Sequence, residues 1–354
     1  MNPLLTVIVP AYEMAGYLAG CCESCLAGGE ATGAVEVLVV DDGSHDETAA
    51  CLEPFLRHPT ASFRLLAKPN GHYGSCVNAA LACARGAYVR VLDADDRMEP
   101  AALGDFLALL RGLLTAGERP DLLLSSFDCR TPEGRVLAGV PMPQGLAGRK
   151  IGLGALPPAR AYFLRLQMFT YRRALLEACA YRQTPGQPYT DLEWTTLPLR
   201  QVRQVRIFEP VLTHYTLGRE GQSMEPAQWM ARLQVVLDLV LAMVRRAEAD
   251  LRAAAPEAEA YYRQRLLALL EMCYRKLFFG EQGHRAPCEV AAFDAALRRA
   301  NPALYAACEA FTLHARFFRF AYVRRWRAAG STRTWGFRLL GAYLRIRERL
   351  PARG

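Results

Sequence analysis

Several patterns that mark other classes of protein are missing from this 354-residue sequence. No apolar run reaches the ~20 residues that a bilayer-spanning helix requires. The first residues lead directly into a predicted strand, without a basic and then apolar leader, so we expect no signal peptide. Low-complexity tracts are absent, and a content of 52% hydrophobic and 22% charged residues is typical of a globular protein. The length allows one large domain or two ordinary ones.

A metal-binding cysteine pattern is also lacking, although the chain has 11 cysteines. Cys21, Cys22 and Cys25 lie close together, but no second pair of Cys or His completes a zinc site. Scattered thiols on apolar helix faces are typical of reduced proteins. We therefore expect these three cysteines to pack within a helix of a cytoplasmic protein.

Lysine is scarce, and the positive charge is concentrated at one end of the chain. Residues 311–354, here called the basic tail, hold eleven arginines and one acid, Glu348, and so carry a net charge of +10 within a chain of +8. Large aromatic residues alternate with these arginines, which favours a helix at an anionic membrane surface. The alternative is a helix packed on the protein with a solvated arginine face. No nucleic-acid module surrounds the segment, so we expect no nucleic-acid partner.

The two common nucleotide-binding loops are absent as well. A dinucleotide site would place Gly-x-Gly-x-x-Gly after the first strand, where this chain has Pro10-Ala11-Tyr12-Glu13 instead. The phosphate loop Gly-x-x-x-x-Gly-Lys-Ser does not occur either. A sugar nucleotidyltransferase would need a Gly-rich loop with Arg or Lys at the same place, so it remains only an alternative.

Strand and helix patterns do alternate four times in the first 100 residues. Apolar strands are predicted over residues 5–9, 35–40, 63–66 and 87–92, and each ends in polar or acidic residues. Because the carboxyl ends of parallel strands share one edge of a sheet, these residues come together there. The pattern therefore predicts a doubly wound, mostly parallel sheet with its site at that edge.

The fourth strand runs directly into three carboxylates, Asp93, Asp95 and Asp96. Acidic side chains this close repel one another unless a cation lies among them. Their hard oxygen atoms suit Mg²⁺ or Mn²⁺, which in turn neutralise a phosphate. The alternative is a solvated turn that caps the helix beginning near Pro100.

Four motifs in a fixed order carry a resemblance to a known family. They are TVIVPAYE (6–13), VDDGS (40–44), NGHYGSCVN (70–78) and LDADD (92–96). In these motifs the chain resembles family 2 glycosyltransferases, inverting enzymes that use nucleotide-diphospho-sugars. The resemblance is close over the first 100 residues and looser to Ser223, and Glu13 stands where the family usually has Asn. It implies the GT-A fold, a Rossmann-like, mostly parallel sheet flanked by helices.

The resemblance also implies roles for individual residues. Tyr12 would stack on the base of the nucleotide, and Asp42 would accept a hydrogen bond from an N–H of that base. Asp41 would support the turn that contains Asp42. Asp95, with Asp96 nearby, would ligate the metal. The other implied donor-site residues are Pro10, Ala11, Glu13, Lys68, Gly74, Asn78, Asp93, Ala94 and Arg219.

Three of these roles have alternatives. Lys68 is a diphosphate or base-edge contact or a solvated surface lysine, Asn78 reaches the ribose or holds the acidic loop, and Asp93 binds the ribose or orders the loop. Arg219 follows a late strand in a polar segment and would clamp the diphosphate. His214 in the same segment is a further metal-ligand candidate, although a lone histidine is more often structural.

An inverting transfer also needs a general base that deprotonates the acceptor hydroxyl. In the family this is an acid in a Glu-Asp-like motif at a helix start, which identifies Asp191 as the candidate. Thr190 stands where the family often has Glu, and Glu193 would point elsewhere from a helix. The alternative is that Asp191 only favours the N-terminus of its helix.

Beyond residue 224 apolar residues recur at helical spacing. We therefore predict a catalytic domain over 1–224 and a helical region over 225–354 that ends in the basic tail. The predicted function is metal-dependent transfer of a sugar, from a UDP-sugar, to a glycan or lipid-linked acceptor in bacterial surface-polysaccharide synthesis. The predicted location is cytoplasmic or peripheral on the inner face of the plasma membrane. The non-enzyme alternative is an inactive relative that acts as a membrane scaffold.

Overall fold

A computed structural model describes residues 3–26, 33–58, 62–219, 222, 230–279, 287–315, 318–332, 334–337 and 339. The chain divides into two compact units. The first, here called the sheet unit, comprises Met1–Gln222 and Ala254–Tyr261, and the second, the helical unit, comprises Ser223–Ala253 and Tyr262–Gly354. The domain boundary predicted at 224 lies outside the described residues and stays a prediction.

The described part of the sheet unit contains one ten-stranded sheet. Its strands are β1 (Leu5–Ala11), β2 (Val35–Asp41), β3 (Ser62–Ala67), β4 (Tyr88–Val91), β5 (Arg97–Met98), β6 (Leu122–Arg130), β7 (Val136–Val140), β8 (Lys150–Ile151), β9 (Phe169–Arg172) and β10 (Val205–Thr216). The strand order is β3-β2-β1-β4-β9-β6-β10-β5, with β7 beside β6 and β8 beside β10. Strands β1 to β4 are parallel, as are β6 and β10, and antiparallel β9 joins the two groups.

The buried strands explain why the first sequence motifs read as continuous apolar runs. Every residue of β1 and of β2 is buried. A parallel sheet has this property because its crossover helices cover both faces. The helices of the sheet unit are α1 (Leu18–Ser24), α2 (Glu53–Leu56), α3 (His72–Leu81), α4 (Pro100–Thr115), α5 (Arg173–Ala178) and α6 (Asp191–Trp194). Cys21, Cys22 and Cys25 are buried free thiols that pack in its core, as predicted.

The helical unit contains α7 (Leu233–Arg252), most of α8 (Pro256–Phe279), α9 (Pro287–Ala300), α10 (Pro302–Ala307), the hairpin of β11 (Leu313–Ala315) and β12 (Phe318–Phe320), and α11 (Tyr322–Ala329). The first residues of α8, through Tyr261, belong to the sheet unit. None of the described helices is long and apolar enough to cross a bilayer.

The described aromatics of the basic tail largely form a protein core. Phe320, Tyr322, Trp326 and Phe337 are buried, whereas Trp335 is 76% exposed. Their rings pack edge to face on one another and on α8 (Phe320–Phe337 at 5.1 Å, Phe278–Tyr322 at 5.8 Å). The four buried rings are therefore not available to a membrane, which corrects the prediction for them. Phe317, Leu340, Tyr343 and residues 341–354 lie outside the described residues, as does the side chain of Phe318.

Candidate active site

The loops after β1 and β2 are tied together at the carboxyl edge of the sheet. Glu13 has a φ of 55°, a conformation that Asn adopts more readily than Glu. Its N–H donates to Ser44 Oγ (3.1 Å), and its carboxylate accepts from the N–H of His45 (2.8 Å). Glu13 was predicted to contact the donor, and the structure places it as the bridge between the two loops.

The residues predicted to bind the base lie beside this bridge. Pro10 and Ala11 are buried at the end of β1, and the next residue, Tyr12, is 43% exposed. Asp41 accepts from the N–H of Ser44 (3.0 Å) and so holds the turn after β2. An exposed ring beside this acidic turn offers a stacking surface for a flat heterocycle.

Asp42 and Lys68 form the inner wall of the same site. Asp42 Oδ1 accepts from Lys68 Nζ (2.5 Å) and from the N–H of Gly71 (3.0 Å). Lys68 also donates to Ser75 Oγ (2.8 Å). The ammonium group thus joins the ends of β2 and β3 to α3, and it is not a solvated surface lysine.

Helix α3 approaches a segment that is more than one hundred residues away in sequence. Asn78 Nδ2 donates to the carbonyl of Gln183 (2.8 Å), and the N–H of Gln183 donates back to Asn78 Oδ1 (2.9 Å). A Cβ on Gly74 would lie 2.4 Å from the carbonyl oxygen of Thr184. Asn78 and Gly74 thus join α3 to this segment, and their predicted contact with the donor stays a prediction.

In the acidic loop after β4, the carboxylates of Asp93 and Asp96 both accept hydrogen bonds from the protein and both have raised pKa values. Asp93 accepts from the hydroxyl of Tyr73 (2.8 Å), and burial, followed by the charge of Asp95, raises the pKa of Asp93 to about 7. Asp96 is buried, and its oxygens accept from the N–H of Thr216 (2.9 Å) and from Gln167 Nε2 (3.4 Å). Burial raises the pKa of Asp96 well above its ordinary value. These contacts show that Asp96 holds the loop, and its predicted place beside the metal stays a prediction. Ala94, between Asp93 and Asp95 in sequence, is buried.

Asp95 and Arg219 come together, although they are far apart in sequence. Arg219 Nε donates to Asp95 Oδ2 (2.5 Å), and its guanidinium lies over the ring of Tyr17, 5.6 Å from the centroid. The predicted phosphate clamp and the predicted metal ligand are therefore neighbours. At this position the carboxylate of Asp95 can bind the metal ion of a magnesium diphosphate, and the guanidinium of Arg219 can bind its phosphate oxygens.

His214 is held at another place. Its Nδ1 lies 2.8 Å from Asp128 Oδ1 and its Nε2 lies 2.9 Å from Glu99 Oε2, so both ring nitrogens are engaged by carboxylates. Across the described residues, no three His, Cys, Asp or Glu side chains are grouped closely enough to hold a cation by themselves. His214 thus links Asp128 and Glu99 in this arrangement, and its predicted part in a metal site stays a prediction.

Asp191 begins α6 and shares the electrostatic environment of the acidic loop. The pKa of Tyr73 is raised by burial and then by the charges of Asp93 and Asp191. The pKa of Tyr215 is likewise raised by burial and then by the acidic loop, with a smaller contribution from Asp191. The fold thus brings the base candidate and the acidic loop together around two tyrosines. Trp194 of the same helix is fully buried against other aromatic rings.

Tyr73, Tyr215 and Arg90 were not among the residues singled out from the sequence. Arg90 is fully buried, and its guanidinium donates to the carbonyl of Gln167 and to Thr213 Oγ1 (2.6 Å). An arginine inside an otherwise apolar strand was a signal for a buried polar network. The two tyrosines had no comparable signal, because an aromatic residue in a polar loop has many possible positions.

A mostly parallel sheet with an acidic loop at its carboxyl edge is the layout of the GT-A fold. Over 98% of its length this chain is similar to the crystal structure of S. aureus TarS 1-349 in complex with UDP-GlcNAc, with a TM-score of 0.64, 19% identity and 92% of that chain covered. It is also similar to the mannosyltransferase PcManGT from Pyrobaculum calidifontis in complex with GDP-Man and Mn²⁺, with a TM-score of 0.51, 17% identity and coverage of 97% and 84%. These likenesses show the fold, and they confirm the predicted fold class.

Residues 6–117 match the family model described as glycosyl transferase family 2. An uncharacterized glycosyltransferase of Mycoplasma pneumoniae is 36% identical over 128 residues, which make up 36% of this chain and 40% of that protein. The chondroitin synthase of Pasteurella multocida is 36% identical over 101 residues, or 28% of this chain and 10% of the synthase. The chain thus spans well under two thirds of the length of these relatives. Over residues 6–117 the chain is thus similar to glycosyl transferase family 2, which confirms the resemblance that the four motifs carried.

Proposed function

We propose that this protein is an inverting glycosyltransferase that moves a sugar from a nucleotide-diphospho-sugar to a hydroxyl group of a glycan or lipid-linked acceptor. One observation carries the proposal. The fold brings Asp191 into the environment of the acidic loop around Tyr73 and Tyr215, although their sequence positions are about a hundred residues apart. A general-base candidate beside a cluster of acids at the carboxyl edge of the sheet suits the attack of an acceptor hydroxyl on an anomeric carbon.

The nucleoside would lie between Tyr12 and Asp42. The exposed ring of Tyr12 would stack on the base. Lys68 and the N–H of Gly71 hold Asp42 through Oδ1, and Oδ2 would accept the N3–H of uracil. We therefore propose a UDP-sugar as donor, which the UDP-GlcNAc in TarS supports and the GDP-Man in PcManGT does not exclude.

The donor set near Asp95 fits Mg²⁺ or Mn²⁺. Burial and then the charge of Asp95 raise the pKa of Asp93, so a cation bound at the loop would stabilise its ionised form. Asp95 would hold the ion together with oxygens of the diphosphate, because the described residues offer no complete set of protein ligands. When bound, the ion neutralises charge on the departing diphosphate. Arg219 would then leave Asp95 and donate to a phosphate oxygen.

Asp191 would accept the proton of the acceptor hydroxyl while the acceptor oxygen attacks the anomeric carbon. The bond between that carbon and the phosphate oxygen breaks, and the nucleoside diphosphate leaves from the opposite face. Attack from one side and departure from the other inverts the anomeric configuration. Tyr73 keeps Asp93 in place beside the departing group.

The acceptor and the cellular site are the less direct part of the proposal. The chondroitin synthase relative supports a bacterial polysaccharide as the acceptor class. We propose that the basic tail binds an anionic membrane from the inner side, through exposed residues such as Trp335, Arg324 and Arg325. Co-sedimentation with vesicles should require anionic lipid and weaken for Trp335→Ala. Binding to neutral vesicles alone would contradict an electrostatic contact.

The test of the enzyme proposal is release of nucleoside diphosphate from a panel of UDP-, GDP- and dTDP-sugars. The assay is run with Mg²⁺, with Mn²⁺ and with EDTA, for the wild type, Asp95→Ala and Asp191→Asn. Metal-dependent turnover of one donor that both variants lose would support the proposal. Silence over the whole panel, together with no donor binding by calorimetry, would instead favour the membrane scaffold.

A further inference from the structure

We propose that Asn78 and Glu193 are positioning residues that set Asp191 at the correct place relative to the acidic loop. They act by docking the segment 183–190 along α3. The proposal rests on the proposed function, in which Asp191 is the general base. Neither residue touches the reacting atoms in this account, and their effect passes through the backbone that carries Asp191.

The first connection lies between α3 and the start of the segment. The Asn78 side chain both donates to and accepts from the backbone of Gln183, at 2.8 and 2.9 Å. This two-way pair fixes the orientation of the amide, since a flipped amide would make neither bond. Because Asn78 lies inside a helix, the pair holds Gln183 against a rigid element.

The second connection lies between the segment and α6. Thr190, the residue before Asp191, donates from Oγ1 to Gln183 Oε1 (2.9 Å). Glu193 is 5% exposed, and its two carboxylate oxygens accept from the N–H of Thr184 (2.7 Å) and from Thr184 Oγ1 (2.8 Å). The start of the segment is thus bonded to the N-cap and to the first turn of α6, where Asp191 lies.

The third connection is a close backbone approach. A Cβ on Gly74 would lie 2.4 Å from Thr184 O, closer than any real side chain can come. Nearby, the N–H of Gly186 donates to the carbonyl of Gly71 (2.8 Å). Contacts from Gly71 to Asn78 therefore run along two turns of α3, and they leave no room between the helix and the segment.

The same helix also contacts the acidic loop. Tyr73 of α3 donates to Asp93 Oδ1 (2.8 Å), whereas Gly74 and Asn78 contact the segment that leads to Asp191. Helix α3 is therefore the common support of the acids that face the leaving group and of the base. Catalytic groups must be held in a narrow range of geometry to act together, and a shared rigid element provides that.

The backbone before Asp191 is strained, which shows that tertiary contacts determine its course. Tyr189 has a φ of 63°, a conformation that a bulky residue adopts only at a cost. Such strain persists where the surrounding structure over-determines it. The bonds of Asn78, Gln183, Thr190 and Glu193 supply that constraint two residues from the base.

The experiment compares Asn78→Ala and Glu193→Ala with a matched control, Glu177→Ala, which removes an exposed acid that pairs with Arg173 in α5. We expect kcat to fall about 10- to 100-fold for the two positioning variants, while the donor KM changes less than about threefold. The control should match the wild type. Glu193→Gln should recover part of the rate, because its amide oxygen can still accept from the N–H of Thr184.

Each substitution is then repeated in the Asp191→Asn background. If Asn78 and Glu193 act only through the base, they should cause no further loss of kcat there, since residues that act as a unit are strongly non-additive. A full additional loss, or a change in KM with kcat unchanged, would overturn the proposal and leave a purely structural role. Thr184→Val, which loses a single hydrogen bond, serves where the alanine variants do not fold.

The two proposals fail in different ways. A wild-type protein that turns over no donor overturns the proposed function. An active wild type whose Glu193→Ala variant keeps its kcat overturns only the positioning role.

Discussion

The two ends of the parallel sheet in the sheet unit treat buried acids in opposite ways. At the end near the start of β2, Glu36 is fully buried and accepts from Thr6 Oγ1 (2.8 Å), Arg85 Nε (2.7 Å) and Arg64 Nη1 (3.1 Å). Burial alone would raise the pKa of Glu36, but these bonds and one from the N–H of Arg85 outweigh burial and lower it. The protein itself satisfies this carboxylate.

At the carboxyl edge the acids receive less compensation. The pKa of Asp93 is raised to about 7 by burial and by the charge of Asp95, in spite of the bond from Tyr73. Arg219 reaches Asp95, but its charge lowers the pKa of Asp93 less than burial and Asp95 raise it. The difference indicates which buried acids the protein itself compensates and which acids it leaves to interact with a ligand. An acid with a lowered pKa stabilises the fold, whereas acids with raised pKa values are a common feature of functional sites.

The largest effect that tests this comparison is on activity. We expect Asp95→Ala to lower kcat about 10²- to 10³-fold, because it removes the proposed contact with the metal and the diphosphate. The free energy of unfolding should stay within about 1 kcal/mol of the wild type, because loss of the pair with Arg219 is offset by removal of the charge that repels Asp93. Turnover assays and urea denaturation measure the two quantities. A large loss of stability with normal activity would reverse the roles of the two ends.

The next effect is on stability at the other end. We expect Glu36→Gln to lower the free energy of unfolding by about 2–4 kcal/mol at pH 7, because it leaves buried donors without their charged partner. Since the pKa of Glu36 is lowered in the folded state, its contribution is complete above its ordinary pKa and disappears as the pH falls through the lowered value. The difference between variant and wild type in urea denaturation should therefore shrink below about pH 4. A constant difference down to pH 2 would contradict this origin.

The contribution of Asp93 to stability should depend on pH in the opposite direction. Its pKa of about 7 in the folded state lies above its ordinary value, so the folded state retains a proton that the unfolded state loses, and stability falls as the pH rises toward 7. Asp93→Asn should remove this slope. We expect it to raise the free energy of unfolding by about 1–3 kcal/mol at pH 8 in EDTA, and the gain should decrease steadily as the pH is lowered to 4. A loss of stability at pH 8 would show that the bond from Tyr73 outweighs repulsion.

The smallest effect concerns the bridge between the loops after β1 and β2. Glu13→Asn relieves the positive φ of 55° but removes the acceptor for the N–H of His45. Because these two effects have similar size and opposite sign, we expect the free energy of unfolding to change by less than about 1 kcal/mol. Thermal unfolding would measure the change. A change well beyond this range would mean that either the relief of the positive φ or the loss of the hydrogen bond to His45 outweighs the other.

The four motifs were predictive of fold and family because each is a local pattern. Continuous apolar strands, a glycine turn and clustered acids at strand ends are visible within a few residues. The same local reading correctly predicted that the cysteines near Cys22 pack in the core. It was less successful for side chains whose partners come from distant parts of the chain. Asn78 bonds to Gln183, and Asp96 bonds to Thr216.

The basic tail shows the same limit. Its arginines and aromatics have the composition of a membrane-binding helix, and composition cannot distinguish a ring that faces lipid from one that faces α8. In the structure Arg327 is paired with Asp294 (2.8 Å) and lies over the ring of Tyr305, while Trp335 remains exposed. Burial of an amphipathic segment depends on which surfaces the rest of the fold leaves uncovered.

The sequence by itself determined the strand–helix alternation, the sheet edge at which the site lies and the family of the domain. These features follow from hydrophobic periodicity and from residues adjacent along the chain. Only the tertiary structure decided that Asp96 bonds to Thr216 and His214 to Asp128, that Arg219 reaches Asp95, and that α3 supports the segment carrying Asp191. The physical reason is that hydrogen bonds and close packing depend on distances of a few tenths of an ångström between residues far apart in sequence, and only the packed fold sets those distances.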